Sequence, residues 1–512
     1  MFKATSFASF FLFLILLNGS TSAQQLNTEN LEARIDSMIP PTVNDTTPGL
    51  VIGVLSNGEL IYSKGFGLAN LAYSITNDSK VVYNIGSVSK QFLGYAFAML
   101  HVEGKLNIDD PVSKYLDPWP EFDQVVTLRH LLTHTSGYRE AYTMSNLAGR
   151  SVGVDRLSRD ECLEVVRRQP ELEFTPGSKY VYNSTAWVIL AEVLEEVVDM
   201  PADQWVSENI LKPLEMDNTQ IESEVGEVIY NGAESYYEDD GIYTNPKSNR
   251  AIFGAAEVYS SIEDMAKWID NFKTAKVGGE EVNKLFLDSY ELNDGSDAGY
   301  ALGIGIGEYR GAKRYRHTGG HEAFISQLSY FPEYDLGVVM ISNFGSEAVF
   351  YSSDIVDIML QDHLTEEPEE ELKSIKVKTK KLEELEGFYM AYDYGDWIEL
   401  EVVNDTLTVD GRNRLIPIGK NVFMVLNRNK TMTVNTEVTP PSLSFSDEPG
   451  IAYEIATEWK PDLAELNSFS GDYWIEELEG VYHMTLVDST LSINHRWMGE
   501  MILEHIVQDF FS

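Results

Sequence analysis

One stretch organises the chain: residues 83–100 read Tyr-Asn-Ile-Gly-Ser-Val-Ser-Lys-Gln-Phe-Leu-Gly-Tyr-Ala-Phe-Ala-Met-Leu. A turn around Gly86 leads directly into an apolar segment, and a helix that begins near Ser87 places Lys90 one turn further along the same face. A serine hydroxyl is a weak nucleophile, but a lysine desolvated against an apolar helix can lose its proton near neutral pH and activate it. The helix N-terminus also offers unpaired backbone N–H groups to a developing oxyanion. The stretch therefore predicts Ser87 as a nucleophile and Lys90 as its base.

The composition indicates a globular protein of two or three domains, since the chain has 512 residues and 43% of them are hydrophobic. The formal net charge is −43. Nucleic acids and anionic membrane surfaces are themselves negative, so this charge argues against both as partners. We take no other function from the charge.

The first residues resemble a secretory signal peptide, with Lys3, an apolar run from Phe7 to Leu17, and small residues that end at Ala23. Residues 1–23 are therefore predicted to be removed on export. The run is short for a membrane span, and no later stretch approaches ~20 apolar residues, so no membrane insertion is expected after cleavage. The single cysteine, Cys162, permits no internal disulfide. We expect a periplasmic or secreted protein of a bacterial envelope.

Strand signals lie at both ends of the region around Ser87. Leu26 to Met38 is predicted to form a short helix, and Asn57-Gly58 is a strong hairpin signal between strands Leu50 to Ser56 and Glu59 to Gly65. Four further strands are predicted at Tyr300 to Tyr309, Lys313 to Gly319, Ile325 to Phe331 and Leu336 to Asn343. The expected fold is α+β, with an antiparallel sheet of about five strands flanked by helices.

A second junction between a turn and a helix lies at Pro176 to Val198, where Tyr182, Asn183 and Ser184 precede a long apolar helix. Polar side chains at such a junction can point into a cleft. They can equally cap the helix, with Asn183 or Ser184 accepting hydrogen bonds from first-turn amides. The sequence leaves both interpretations open.

His130 and His134 stand four residues apart, a spacing that a metal could use. The chain has no HExxH motif and no third ligand near them, so we expect no metal site.

The C-terminal region contains an internal repeat that follows a charged linker, residues 365–381. A constant offset of 84 residues separates Gly387 from Gly471 and Leu407 from Leu491, each within a similar pattern of alternating apolar and polar residues. Two copies of a short-strand unit indicate an all-β domain at 382–512, most simply a small barrel. The catalytic domain is then expected at residues 24–364.

Taken in order, Ser87-x-x-Lys90, Tyr182 and His317-Thr-Gly-Gly320 resemble the motifs of the serine beta-lactamase-like superfamily. The resemblance extends from about Ile35 to Asn343 and lies in the branch of class C beta-lactamases, D,D-carboxypeptidases, D-aminopeptidases and esterases. The C-terminal repeat looks like the lipocalin-like domain often appended to such hydrolases.

The resemblance implies an acyl-enzyme mechanism on amide or ester bonds, in which water releases the acyl group and no metal or organic cofactor is needed. Ser87 would attack the carbonyl, Lys90 would act as base, and Tyr182 would share proton transfer to the leaving group. The oxyanion would lie between the backbone N–H groups of Ser87 and Gly320, and Gly319 would let the strand approach the substrate closely. Asn183, Ser184, His317 and Thr318 would contribute to substrate binding.

Two departures from the motifs bear on specificity. The second motif is usually Tyr-x-Asn, whereas this chain has Ser184 in the third position. The third motif usually begins with lysine in beta-lactamases, whereas this chain has His317, which is mostly neutral at pH 7. The histidine favours a peptidase or esterase over a penicillinase, whereas Ser184 replaces the amide of the usual second motif only in part.

The leading hypothesis is therefore an exported serine hydrolase of D-amino acid peptides, amides or small esters, with β-lactams as weak substrates at most. The alternative is a catalytically silent binding protein that holds cell-wall peptides or acyl ligands in the same cleft. A third hypothesis is that the β-domain covers the cleft or binds a ligand of its own. The oligomeric state is not predicted.

Overall fold

A computed structural model describes residues 26–345, 352–365, 374–391, 396–426, 430–446, 451–457, 459–503, 505–507 and 510–511. The expected signal peptide, residues 1–23, and part of the expected linker, residues 366–373, lie outside the described residues. Among the described residues, no helix is long and apolar enough to cross a membrane.

The α-helices are, in chain order, α1 Leu31–Asp36, α2 Lys90–Val102, α3 Leu128–Leu132, α4 Ala141–Leu147, α5 Arg159–Arg167, α6 Thr185–Val198, α7 Ala202–Val206, α8 Ile262–Thr274, α9 Glu280–Phe286, α10 Ser352–Leu360, α11 Thr379–Glu383 and α12 Leu463–Asn467. The strands of the catalytic region are β1 Leu50–Ser56, β2 Glu59–Phe66, β3 Leu68–Asn70, β4 Ile75–Thr76, β5 Tyr83–Asn84, β6 Gln220–Ile221, β7 Tyr237–Asp239, β8 Ile242–Thr244, β9 Val258–Ser260, β10 Gly305–Tyr309, β11 Ala312–His321, β12 Phe324–Phe331 and β13 Leu336–Ser342.

The central sheet is antiparallel and has the strand order β10-β11-β12-β13-β1-β2. The α+β class is confirmed, with six strands where about five were expected. The Asn57-Gly58 hairpin is present, and both residues have positive φ, as a tight hairpin turn requires. The predicted strand Tyr300 to Tyr309 is shorter than expected and begins at Gly305.

Helices cover both faces of this sheet. Strand β1 is buried along its whole length, and its residues alternate between two hydrophobic cores. Val51 and Leu55 pack on the side of α2, α6 and α8, whereas Ile52 and Val54 pack on the side of α1 and α10. The two-sided burial explains why β1 is a continuous apolar run.

The first copy of the repeat closes on itself. Its strands form an eight-stranded antiparallel barrel, closed by pairing of the first strand with the last. The strands are β14 Gly387–Ala391, β15 Asp396–Val403, β16 Thr406–Val409, β17 Asn413–Gly419, β18 Val422–Val425, β19 Thr431–Asn435, β20 Ser442–Phe445 and β21 Tyr453–Ile455. The expected all-β barrel is therefore present, but one copy alone forms it.

The second copy forms a separate four-stranded sheet, β22 to β25. Its strands are β22 Gly471–Ile475, β23 Gly480–Val487, β24 Thr490–His495 and β25 Gly499–Leu503, followed by the hairpin of β26 His505–Val507 and β27 Phe510–Phe511. The offset of 84 residues relates β14 to β22, β15 to β23 and α11 to α12, in each case with matching bounds.

The second sheet contacts the catalytic region near α4 and α5. Glu477 forms a two-pronged ion pair with Arg139, Glu479 pairs with Arg168 at 2.8 Å, and the Tyr482 hydroxyl donates to the Leu147 carbonyl. These contacts place the second copy against the segment that precedes α4 and against the ends of α4 and α5.

Candidate active site

The conformation of the turn before α2 depends on Asn84 and Gly86. The Asn84 side chain accepts a hydrogen bond from the Gly86 backbone N–H at 2.8 Å. Gly86 has φ +52°, and a Cβ there would lie 2.6 Å from the backbone nitrogen of Gly320. A side chain at Gly86 would therefore separate the turn from strand β11. The chain then continues as a 3₁₀ turn, Gly86–Ser89, directly into α2.

Lys90 is fully buried beside Ser87. Its Nζ lies 3.1 Å from the Ser87 Oγ and 2.6 Å from the carbonyl oxygen of Ala255. Burial lowers the pKa of Lys90 to about 7, although the Glu140 carboxylate opposes the shift. A neutral amine can donate one N–H to Ala255 and present its lone pair to the Ser87 hydroxyl. This geometry suits a general base.

Tyr182 lies on the other side of Ser87. Its hydroxyl hydrogen-bonds the Ser87 side chain, and its ring centroid is 5.1 Å from the Lys90 Nζ. Burial raises the pKa of Tyr182 above its usual range, and the hydrogen bond to Ser87 only partly counteracts this. The phenol is therefore protonated at neutral pH and can donate a proton.

His134 packs against the ring of Tyr182. The two rings stack with centroids 4.1 Å apart, and the His134 Nδ1 accepts a hydrogen bond from the Asn183 backbone N–H at 2.9 Å. Burial, reinforced by the nearby charge of Lys90, lowers the pKa of His134 well below its usual value. His130 instead accepts from the Thr127 backbone within the cap of α3. The two histidines thus have separate roles, and the described residues include no cluster suited to a metal ion.

The edge of β11 faces residues 85–90, which we call the nucleophile turn. Pairing with β10 ends at Arg316, so residues 317–321 pair with β12 on one side only. Gly319 packs so closely that a Cβ there would lie 2.0 Å from the Ile85 carbonyl oxygen. The structure thereby brings Gly320 beside Gly86, whereas the Thr318 side chain is exposed on the face of the strand opposite to His317 and Gly319.

His317 is held as a neutral ring. Its Nδ1 lies 2.6 Å from the Thr318 carbonyl oxygen and its Nε2 lies 2.8 Å from the Tyr300 hydroxyl. Nδ1 therefore carries the proton and Nε2 accepts from Tyr300. Burial, with a contribution from Lys90, lowers the pKa of His317 to about 3. The residue supplies no fixed positive charge at neutral pH.

Asn183 points away from the cleft. Its side-chain oxygen accepts from the Ala186 N–H at 2.8 Å, and its amide donates to the Tyr138 carbonyl at 2.7 Å. Asn183 is thus the helix cap, one of the two interpretations left open by the sequence. Ser184 is also buried, and its backbone N–H donates to Glu140.

We expect Asn183→Ala to destabilise the catalytic region by about 1–3 kcal/mol, because it removes a cap and leaves the buried Tyr138 carbonyl unpaired. Denaturant unfolding would measure this loss. Ser184→Ala is the matched control and should change stability much less. Equal losses of stability in the two variants would contradict the cap assignment.

Sequence reasoning missed three groups at this site: the Ala255 carbonyl, Tyr300 and Glu140. The Glu140 carboxylate accepts backbone N–H groups of Ser184, Thr185 and Tyr142, and so anchors the start of α6. Burial raises the pKa of Glu140, against the effect of these N–H groups. No local sequence signal identifies Glu140, because its partners lie 44 or more residues away or next to it in an ordinary helix start.

The α+β fold, with a serine, a lysine and a tyrosine gathered at a helix N-terminus beside a sheet edge, defines a serine hydrolase. The chain belongs to the beta-lactamase family, whose model matches residues 35–362.

Curated relatives agree with this family. A putative penicillin-binding protein, PbpX, from Bacillus subtilis is 29% identical over 301 residues, which cover 58% of this chain and 70% of the relative. A teichoic acid D-alanine hydrolase from Staphylococcus aureus is 26% identical over 243 residues, 47% of this chain and 58% of the relative. The matched part is thus little more than half of the staphylococcal protein.

Solved structures show the same fold. An octameric penicillin-binding protein homologue from Pyrococcus abyssi has a TM-score of 0.56 at 22% identity, covering 93% of this chain and 99% of its own. A D-stereospecific amidohydrolase from a Streptomyces species has a TM-score of 0.53 at 20% identity, covering 64% of this chain and 97% of its own.

Proposed function

We propose that this protein is an exported hydrolase of D-aminoacyl esters and amides that acts through an acyl-enzyme on Ser87. One observation supports the proposal most directly: the Lys90 amine, with a pKa near 7, lies 3.1 Å from the Ser87 oxygen. Export is supported by the signal-like residues 1–23 and by the resemblance to proteins that act on the cell envelope.

In the proposed reaction, neutral Lys90 takes the hydroxyl proton as Ser87 attacks the substrate carbonyl. The oxyanion is stabilised by the backbone N–H groups of Ser87 and Gly320. Tyr182 then gives its proton to the leaving alcohol or amine and regains one from Lys90. Water hydrolyses the ester on Ser87 with Lys90 again as base, which restores the free enzyme.

The D configuration of the proposed substrate is supported by the names of the relatives, and the preference over β-lactams is supported by the chemistry of the site. His317 is neutral and already accepts the Tyr300 hydroxyl proton, so it offers no cation to the carboxylate of a penicillin. A D-aminoacyl ester has no carboxylate on its acyl part. We therefore place β-lactams among the slow substrates.

A matched substrate panel tests this proposal by intact-protein mass spectrometry. We expect a chromogenic D-alanyl ester to turn over at least about 10-fold faster than its L-alanyl counterpart. This ratio corresponds to about 1.4 kcal/mol, which one additional well-placed contact can supply. A penicillin should acylate Ser87 slowly. Absence of both turnover and a covalent adduct with all three compounds would instead favour the silent binding protein.

A further inference from the structure

A buried cluster of charged side chains lies next to the site. Glu257 is fully buried, and its two carboxylate oxygens lie 3.3 and 3.1 Å from the Nε2 of His321, which is also buried. Arg250 lies 3.9 Å from Glu257 and 3.0 Å from Glu322. A buried carboxylate is retained only when it is paired, so the contact between Glu257 and His321 constrains both side chains.

The segment that carries Glu257 touches the nucleophile turn at three points. The Ala255 carbonyl accepts from Lys90, the Val258 N–H donates to the Ser89 hydroxyl at 3.2 Å, and the Val258 carbonyl accepts from the Ile85 N–H at 2.9 Å. A shift of residues 255–258 would therefore move the anchor of Lys90.

Glu257 itself has φ +77°, a left-handed conformation that is unfavourable for a residue with a side chain. Such a conformation costs on the order of 1 kcal/mol and persists only where the surroundings impose it. Its contact with the His321 ring, and the contacts of its neighbours Ala255 and Val258 with the nucleophile turn, are those surroundings.

His321 directly follows Gly320 on β11. Residues His317, Gly319 and His321 share the buried face of the strand, toward the nucleophile turn. The backbone of Gly319 and Gly320 packs against Ile85 and Gly86. The orientation of the Gly320 N–H therefore depends on how this end of β11 is held.

We propose that Glu257 and His321 form a positioning pair that sets the Gly320 N–H relative to the Lys90 anchor. The pair links the two halves of the site, residues 255–258 and the end of β11, by one side-chain contact. Both residues are too deeply buried to touch substrate, so they act through the backbone that they hold. This inference rests on the proposed function of Ser87 and Gly320.

The variants Glu257→Gln and His321→Gln test the pair. We expect each to lower kcat for the D-alanyl ester about 10- to 100-fold with KM changed less than about threefold, because misplacement of an oxyanion donor affects the transition state more than the ground state. Affinity for a boronic acid analogue should fall by a similar factor. The double variant should lose no more than the worse single variant, since both changes break one contact.

Arg159→Gln is the matched control, because Arg159 pairs with Glu192 and Glu195 on α6 away from the cleft. It should lower the melting temperature and leave kcat unchanged. If His321→Gln does not fold, Glu257→Gln, which keeps the size of the side chain, supplies the same comparison.

The inference is overturned if both folded variants keep kcat within twofold, if KM alone rises, or if the two losses simply add. Failure of the proposed function is distinguishable, because the unmodified protein would then form no adduct on Ser87.

Discussion

Ser87→Ala should abolish ester hydrolysis, with kcat lower by on the order of 10⁴-fold or more. The reason is that no other group in the site can form the acyl bond, and removal of a nucleophile leaves only binding and oxyanion stabilisation. Ser87 is partly buried at the start of a 3₁₀ turn, and its hydroxyl hydrogen-bonds Lys90 and Tyr182, both of which are side chains of the site. Its loss should therefore leave the fold intact.

The measurement is steady-state turnover of the D-alanyl ester, together with labelling by a fluorophosphonate and a thermal melt. Ser158→Ala is a suitable control, because Ser158 caps α5 and should affect stability without affecting turnover. Retained hydrolysis in a folded Ser87→Ala variant would refute the assignment of the nucleophile.

Lys90→Met should lower kcat/KM by about 10²- to 10⁴-fold, the usual contribution of a general base. The pKa of Lys90 is near 7 and the neutral amine is the active form, so the activity of the unmodified protein should rise with pH through about 7. The methionine variant should lack this rise. Methionine fills a similar volume, so stability should be preserved.

The variant Glu140→Gln tests whether Lys90 is the group that titrates near pH 7. The Glu140 carboxylate raises the pKa of Lys90, so its neutralisation should move the acidic limb of the pH profile to lower pH. A limb that moves to higher pH, or a limb that persists in Lys90→Met, would show that another group is titrating.

The proximity of the proposed reacting residues could be predicted from the sequence, because their relation is local or is fixed by motif. Ser87 and Lys90 are one helical turn apart, and the hairpin at Asn57-Gly58 depends on the conformational preferences of two adjacent residues. The neutrality of His317 also followed from residue type, and the Tyr300 hydroxyl accounts for its tautomer.

The supporting residues could not be predicted in this way. Glu257 and His321 are 64 positions apart, and the Ala255 carbonyl lies 165 positions from Lys90. Nothing in the local pattern distinguishes a buried glutamate from the many solvated ones in an acidic chain. Asn183 shows the reverse case, since a residue within a motif proved to be a cap once its partners at Tyr138 and Ala186 were known.

The two C-terminal copies of the repeat illustrate a further limit of predicting the fold from the sequence. The bounds of β14 and β15 recur in β22 and β23, yet the described strands of the second copy form an open four-stranded sheet, because closure of the barrel depends on the pairing of β14 with β21 and not on any one strand. The two copies thus differ in their attachments, since the first completes its own ring of strand pairing and the second is joined to the catalytic region by the ion pair of Glu477 with Arg139. Substitution of Glu477 should therefore loosen the attachment of the second copy and leave the strand pairing of the barrel intact.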